Sequence, residues 1–167
     1  MLACICKVRY TFDMIHENGL TIYTDGSARG NPGRGGYGSI LIWKGQVKEL
    51  SAGYRHTTNN RMELMSVIAA LETLNKDGLD IVVYSDSQYV VKAVTEGWLE
   101  KWIRTHFAGG KKNSDLWLRY HALSKRHHIR FIWVKGHQTN PYNNRCDALA
   151  TAAADGASLL EDTGYAG

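Results

Sequence analysis

Hydrophobic and polar residues alternate in short runs from residue 20 onward, and between these runs the apolar positions recur at helical spacing. Strict alternation predicts strands that are buried on one face, whereas recurrence every three or four residues predicts amphipathic helices. Glycine, asparagine and proline separate the segments, as expected for turns and helix ends. The pattern predicts strands at 20–24, 37–43, 47–54, 81–84 and 129–134, and helices at 60–77, 87–96, 98–107, 114–126 and 144–155.

The order of these segments predicts an α/β fold. The first three strands follow one another with short connections, including a hairpin turn at Lys44-Gly45, which favours an antiparallel meander. The last two strands are separated from it, and from each other, by helices, which favours parallel pairing. We therefore expect a mixed five-stranded sheet, three antiparallel strands and then two parallel ones, flanked by helices. Asn60 and Glu63 are expected to form a capping box at the first helix.

Length and composition indicate a single globular domain. The chain has 167 residues, of which 44% are hydrophobic and 22% are charged, and this balance excludes disordered and fibrous classes. No stretch approaches the ~18 apolar residues of a membrane helix. Three cysteines are too few for a disulfide framework, so a reducing compartment, the cytoplasm, is expected. We expect a monomer, because no separate oligomerisation segment is visible.

Residues 1–19 differ from the patterned part of the chain. Lys7 and Arg9 interrupt their apolar positions, so these residues lack the hydrophobic core of a signal peptide. We expect a poorly ordered N-terminal extension at 1–19, followed by the folded domain at 20–167. A natural start at Met14 is the alternative.

Positive charge is concentrated in one part of the chain. The net charge is +4, but residues 92–135 hold ten Lys and Arg residues against three acids. That segment therefore carries +7, and the remainder of the chain carries −3. A basic block on an otherwise slightly acidic protein favours a polyanionic partner such as a nucleic acid. A solvated helix face is the alternative.

Four acidic residues stand at the ends of predicted elements. Asp25 ends the first strand and Asp86 the fourth. If these strands are parallel neighbours, both carboxylates emerge at one sheet edge, where open α/β sheets bind ligands. Glu63 and Asp147 lie near the first turns of helices. Taken singly, each acid has a simpler explanation as a turn, cap or helix-dipole residue.

Convergence of these acids would predict a metal site. Carboxylates that lie together repel and raise each other's pKa unless a cation joins them. Oxygen ligands suit Mg²⁺ or Mn²⁺. Two such ions about 4 Å apart serve an in-line attack on a phosphodiester, one at the attacking water and the other at the leaving oxygen.

Four short motifs occur in order along the chain. They read YTDGS and GNPG within 23–33, TTNNRMEL at 57–64, SDSQYV at 85–90, and WVKGH with NRCD within 133–147. Together they resemble the signatures of type 1 ribonuclease H, in the order and with the spacing of the bacterial free-standing members. The similarity covers residues 20–165, and it implies the ribonuclease H-like fold.

The resemblance implies an endoribonuclease that hydrolyses the RNA strand of RNA–DNA hybrids with little sequence specificity. It also implies a two-metal-ion mechanism with Mg²⁺, or Mn²⁺ as a substitute, that leaves 5′-phosphate and 3′-hydroxyl ends. His137 matches a loop histidine that assists proton transfer or product release. The carboxylates that match catalytic metal ligands are Asp25, Glu63, Asp86 and Asp147.

The same resemblance implies contacts with both strands of the hybrid. Three amide side chains match residues at the minor groove and the 2′-hydroxyls of the RNA, and an amide can both donate to and accept from a hydroxyl. Two polar residues match a pocket for a phosphate of the DNA strand. The RNA-contacting residues are Asn31, Asn59 and Gln88, and the phosphate-pocket residues are Thr58 and Asn113.

The basic segment gains a role from this resemblance. Trp98 and Trp102 lie four residues apart and so share a helix face, with lysines and arginines around them. Aromatic and basic side chains together suit a groove that follows the DNA backbone. Packing in the core is the alternative for both tryptophans. The segment is shorter and less lysine-rich than in many bacterial members, which leaves the strength of hybrid binding open.

Two other functional classes stay open on the sequence alone. A non-catalytic hybrid-binding module can use the same fold, and a nuclease domain can be a part cut from a reverse transcriptase or a transposon protein. Convergent carboxylates favour the enzyme, because a purely binding surface gains nothing from their mutual repulsion.

Overall fold

A mixed sheet lies at the centre of the fold, and helices cover both of its faces. The structure is a computed structural model that describes residues 19–136 and 140–167, and within those residues it has six strands and five helices. The strands are β1 (Gly19–Ala28), β2 (Gly33–Trp43), β3 (Gln46–Thr57), β4 (Asp80–Ser85), β5 (His128–Trp133) and β6 (Leu159–Leu160). The helices are α1 (Asn59–Glu72), α2 (Gln88–Thr95), α3 (Trp98–Arg104), α4 (Ser114–Ser124) and α5 (Pro141–Ala154).

The strand order is β5-β4-β1-β2-β3-β6. β1, β2 and β3 form an antiparallel meander, and β4 pairs in parallel with both β1 and β5. The predicted α/β fold with a mixed sheet is therefore confirmed, but the expected five strands were one too few. β6 adds a short parallel pairing to the edge of β3, and its two residues are too short to leave an alternating pattern in the sequence.

The first strand does not end where the Asp25-Gly26 pair suggested. Its parallel pairing with β4 stops at Thr24, but its antiparallel pairing with β2 continues to Ala28. Asp25 is therefore held by strand hydrogen bonds on one side of β1 only. The predicted hairpin between β2 and β3 is present, with Lys44 and Gly45 both in the left-handed region at φ values of 47° and 78°.

Helix boundaries also differ from the sequence prediction. α1 is capped by Thr58, whose side-chain oxygen accepts from the Arg61 N–H at 3.2 Å. The expected capping box of Asn60 and Glu63 was therefore wrong, because the helix begins one residue earlier than predicted. α1 also ends at Glu72 rather than at 77.

α5 starts before its predicted position at 144. The Asn140 side chain accepts from two backbone N–H groups and caps the helix, and Pro141 occupies the first turn, where its missing N–H costs nothing. None of the helices among the described residues is long and apolar enough to cross a membrane. Residues 1–18 of the predicted extension lie outside the described residues, so the expected character of that segment stays a prediction.

The two faces of the sheet are packed differently. On one face, α1, α2, α3 and α4 contribute buried residues to the main hydrophobic core. On the other face, α5 lies directly on the backbone of the sheet at glycine positions. A Cβ atom on Gly38 would lie 2.4 Å from the carbonyl oxygen of Cys146, and one on Gly53 would lie 2.0 Å from that of Ala153. The glycines of β2 and β3 thus set how closely α5 approaches the sheet.

This close contact predicts a large effect of a single methyl group. Gly38→Ala should lower the free energy of unfolding by about 1–3 kcal/mol, because the helix must move away from the strand. Gly156→Ala is the matched control, since its Cβ would meet its nearest atom at 3.3 Å. Urea unfolding of the two variants measures the difference. Equal stability of both variants would contradict the account of α5 packing.

Candidate active site

Parallel pairing of β1 and β4 brings two of the predicted carboxylates together. The last pair in their register joins Thr24 to Ser85, and Asp25 and Asp86 are the next residues on the two strands. Both side chains therefore emerge at the same edge of the sheet. This is the arrangement that the strand ends predicted, although β1 itself continues further.

Glu63 reaches the same edge from α1. The helix passes so close to β1 that a Cβ atom on Gly26 would lie 2.4 Å from the Glu63 nitrogen and 2.3 Å from the Met62 carbonyl carbon. Only glycine at position 26 permits this contact. The residue after Asp25 thus determines the distance between the strand and the helix that carries Glu63.

The three carboxylates form one compact group. Asp25, Glu63 and Asp86 each offer an oxygen, and these three atoms lie within 4.8 Å of one another. Asp147 is not in this group. It lies in the second turn of α5, because the helix begins earlier than predicted, and its charge contributes to the raised pKa of Asp25. Three of the four predicted carboxylates are therefore together and the fourth stands beside them.

Burial and mutual repulsion shift the protonation of this group. Burial raises the pKa of Asp25 to about 8, with further increases from the charges of Asp86 and Asp147. Burial also raises the pKa of Glu63 well above its ordinary value, and the charges of Asp25 and Asp86 add to it. The contact between the two carboxyl groups raises the pKa of Glu63 further and lowers that of Asp25, but by less than burial raises it. Without a cation, the cluster therefore retains protons near neutral pH.

The donor set fits a divalent metal ion. The Glu63 Oε2 atom is buried and makes no hydrogen bond within the part of the chain that the structure describes. A buried oxygen without a donor is costly unless a cation or a proton satisfies it. Carboxylate oxygens are the ligands that Mg²⁺ and Mn²⁺ prefer. The arrangement can therefore hold such an ion between β1, β4 and α1.

The end of β5 and the residues that follow it lie against this cluster. The Trp133 indole N–H donates to the Asp86 carbonyl oxygen at 3.1 Å, and a Cβ on Gly136 would lie 2.7 Å from Asp86 Oδ2. This contact could not be predicted from the sequence, because Trp133 and Asp86 become neighbours only through the pairing of β4 with β5. The next residue, His137, lies outside the described residues, so its role stays a prediction.

Two of the predicted RNA-contacting amides brace the edge of the site. Asn31 Oδ1 accepts from the Asn59 N–H at 2.9 Å, and Asn59 Oδ1 accepts from the Ala28 N–H at 2.5 Å. The NH₂ groups of both side chains make no hydrogen bond among residues 19–136 and 140–167. Gln88 is exposed in the first turn of α2. All three amides therefore have donors available for a ligand.

Arg61 connects the two residues of the predicted phosphate pocket. Its side chain is 2% exposed, and its backbone N–H is bonded to the Thr58 hydroxyl. Its guanidinium donates to Asn113 Oδ1 at 3.3 Å and forms ion pairs with Asp115 and Asp162, each at 2.7 Å. The two ion pairs tie α1 to α4 and to the C-terminal segment. In the sequence, the only signal for this role is the position of an arginine inside the TTNNRMEL motif.

The predicted tryptophans differ in exposure. Trp98 is 37% exposed, with its ring centroid 6.3 Å from that of Trp102. Trp102 packs against the buried Trp117 at 5.9 Å, and the Lys111 ammonium lies 5.9 Å from the Trp102 ring. Trp102 therefore packs against the core and also contacts a cation. Its contact with the DNA strand stays a prediction.

The raised pKa of Asp25 predicts a pH-dependent stability in the metal-free protein. Asp25 has a pKa of about 8 in the folded protein, compared with an ordinary value of 3.8. Between pH 3.8 and pH 8 its carboxyl therefore keeps a proton in the folded state and loses it in the unfolded state. This stabilisation is complete below the lower value and is lost as pH rises through the upper one.

In EDTA, the free energy of unfolding should therefore fall from about pH 5 to pH 8, and more steeply than in Asp25→Asn. Mg²⁺ should raise the stability of the unmodified protein more at pH 8 than at pH 5. Urea unfolding across this range measures both effects. Curves of equal slope for the two proteins in EDTA would contradict the protonated cluster.

Comparison with known proteins agrees with this geometry. Residues 17–155 match the model of the RNase H family. The ribonuclease H of Lachnoclostridium phytofermentans is 53% identical over 153 residues, which cover 86% of this chain and 96% of that protein.

Solved structures show the same fold. LC9-RNase H1, a type 1 RNase H with the type 2 active-site motif, superposes with a TM-score of 0.74 at 28% identity, over 83% of this chain and 73% of that one. LC11-RNase H1 in complex with an RNA/DNA hybrid gives a TM-score of 0.61 at 26% identity, over 81% and 96%. The match over most of the chain, the shared fold and the carboxylate cluster lead to one conclusion: this chain belongs to the ribonuclease H family.

Proposed function

We propose that this protein is a metal-dependent endoribonuclease that hydrolyses the RNA strand of RNA–DNA hybrids and leaves 5′-phosphate and 3′-hydroxyl ends. The observation that carries the proposal is the group of three carboxylates within 4.8 Å in a member of this family. The known hybrid complex of LC11-RNase H1 supports the hybrid as the substrate. A hybrid-binding module without catalysis has no specific observation in its favour.

Four carboxylates hold the ions in this proposal. Asp25, Glu63 and Asp86 supply the clustered oxygens, and Asp147 completes the set from α5. Two Mg²⁺ ions, or Mn²⁺ in their place, supply a reactive water and stabilise the charge that develops on the leaving oxygen. The proposed role of His137 is to move a proton at the site or assist product release, which suits a side chain that titrates near neutral pH.

Substrate selection follows from contacts with sugar and backbone. The free NH₂ donors of Asn31 and Asn59, together with Gln88, suit the 2′-hydroxyls that distinguish RNA from DNA. Thr58 and Asn113, tied together by the buried Arg61, suit a phosphate of the DNA strand. Such contacts position a duplex without reading its sequence.

The exposed aromatic and basic surface extends this interface. Trp98, Trp102 and Lys111 lie together on the segment that follows α2. We expect this surface to follow the DNA backbone, and hybrid binding should therefore weaken as salt concentration rises. The proposal takes the protein to be a cytoplasmic monomer. The buried free thiol of Cys146 is in keeping with a reducing compartment.

The first prediction of this proposal concerns Asp25. Asp25→Asn should abolish cleavage while hybrid binding survives, because the variant loses one anionic ligand but none of the expected contacts with sugar or phosphate. Gel cleavage of a labelled hybrid and fluorescence anisotropy measure the two properties. Asp80→Asn is the matched control, since Asp80 is an exposed acid at the opposite end of the β1–β4 register. Substantial turnover by Asp25→Asn would exclude its role as a metal ligand.

The second prediction concerns His137. His137→Ala should lower kcat by about 10²-fold without abolishing cleavage, because the ions remain in place when a general acid–base group is lost. Steady-state kinetics on a hybrid measures the change. His128→Ala, which removes an exposed histidine at the start of β5, should behave like the unmodified protein. An unchanged kcat in His137→Ala would remove this residue from the mechanism.

A further inference from the structure

Three tyrosine rings join the sheet to the first turn of α5. Tyr23 of β1 stacks on Tyr84 of β4, with ring centroids 4.8 Å apart and an interplanar angle of 11°. Tyr142 of α5 stacks on Tyr23, with centroids 4.9 Å apart and an angle of 29°. We call these three residues the tyrosine stack. It links two strands of the sheet to the beginning of the helix that carries Asp147.

The tyrosine stack is adjacent to the carboxylate cluster. Tyr23 and Asp25 are two residues apart in β1, so their side chains lie on the same face of the sheet. Tyr84 is the register partner of Tyr23 in β4, and Asp86 follows it by two positions. The rings therefore lie next to the positions in β1 and β4 that lead to two of the carboxylates, Asp25 and Asp86.

A polar contact holds the same turn of α5. Asn140 Oδ1 accepts from the Tyr142 N–H at 3.0 Å and from the Asn143 N–H at 3.1 Å. The side chain of Asn140 also lowers the pKa of the Tyr23 hydroxyl, although burial raises that pKa overall. The ring stack and the helix cap thus meet at Tyr23.

The position of the fourth carboxylate depends on this turn. Asp147 lies in the following turn of the same helix, and its charge acts on Asp25. A tilt of the first turn therefore displaces Asp147.

We propose that Tyr142 and Tyr23 are positioning residues for hydrolysis, and that they act by holding the first turn of α5, and with it Asp147, in place beside the carboxylate cluster. This inference rests on the proposed function. A purely structural role predicts instead a loss of stability with unchanged kinetic constants. Tyr142 is 38% exposed, so its removal opens no cavity in the core and the two explanations can be separated.

The test compares Tyr142→Ala with Tyr142→Phe, which keeps the ring. We expect Tyr142→Ala to lower kcat about three- to tenfold, because small displacements of a reacting group cost less than the ~10²-fold of a 1 Å shift. KM for the hybrid should stay within about twofold, since this turn makes none of the proposed contacts with the RNA strand or the DNA strand. Tyr142→Phe should restore kcat.

Two further variants sharpen the comparison. Tyr23→Phe removes the hydroxyl that interacts with the Asn140 side chain and keeps the stacked ring, so we expect a smaller loss of kcat, about two- to threefold. Val47→Ala is the control for loss of an exposed apolar side chain, because Val47 is 55% exposed on the hairpin strand β3. It should leave kcat and KM unchanged.

Amide hydrogen exchange supplies a readout that does not depend on activity. In Tyr142→Ala, residues 140–147 should exchange faster, whereas α4 should exchange as in the unmodified protein. The inference is overturned by an unchanged kcat, by a loss that Tyr142→Phe does not restore, or by unchanged exchange in α5. No hybrid cleavage by the unmodified protein would overturn the proposed function, and with it the claim of positioning for hydrolysis. Exchange would then decide only whether the tyrosine stack holds α5.

Discussion

Repulsion among closely spaced carboxylates is the constraint that the site imposes on the fold. Asp25, Glu63 and Asp86 present oxygens within 4.8 Å of one another, and such groups stay ionised together only when a cation lies between them. Without one, the pKa values of Asp25 and Glu63 rise and both groups tend to keep their protons. The scaffold must therefore hold an arrangement that is unfavourable until a metal ion binds.

The scaffold meets this constraint with contacts between backbones. Parallel register fixes two carboxylates on neighbouring strands, and the absence of a side chain at Gly26 lets α1 bring the third within reach. On the opposite face, Gly38 and Gly53 let α5 lie on the sheet. The tyrosine stack then fixes the beginning of that helix. Because these contacts involve main chain or packed rings, the site is held by rigid elements, as precise chemistry requires.

Sequence reasoning predicted the parts of this arrangement that are local. Asp25 and Asp86 follow short apolar runs, and the helices between those runs predicted parallel strands with a shared edge. The role of Arg61 could not be predicted, because its partners Asp115 and Asp162 are remote in the chain and meet it only after α4 and the C-terminal segment pack. The tyrosine stack depends in the same way on strand register and on where α5 begins. Helix ends were misjudged because caps compete locally, and two-residue strands leave no periodicity.

The most direct test of the metal-dependent mechanism is a cleavage gel with one labelled RNA strand, presented as an RNA–DNA hybrid, as an RNA duplex and as a single strand. Each substrate is incubated with Mg²⁺, with Mn²⁺ and with EDTA. The account predicts cleavage of the hybrid alone, only with a metal ion, and products with 5′-phosphate and 3′-hydroxyl ends. Hybrid that is bound but left intact with every metal would contradict it, and the clustered carboxylates would then need another explanation.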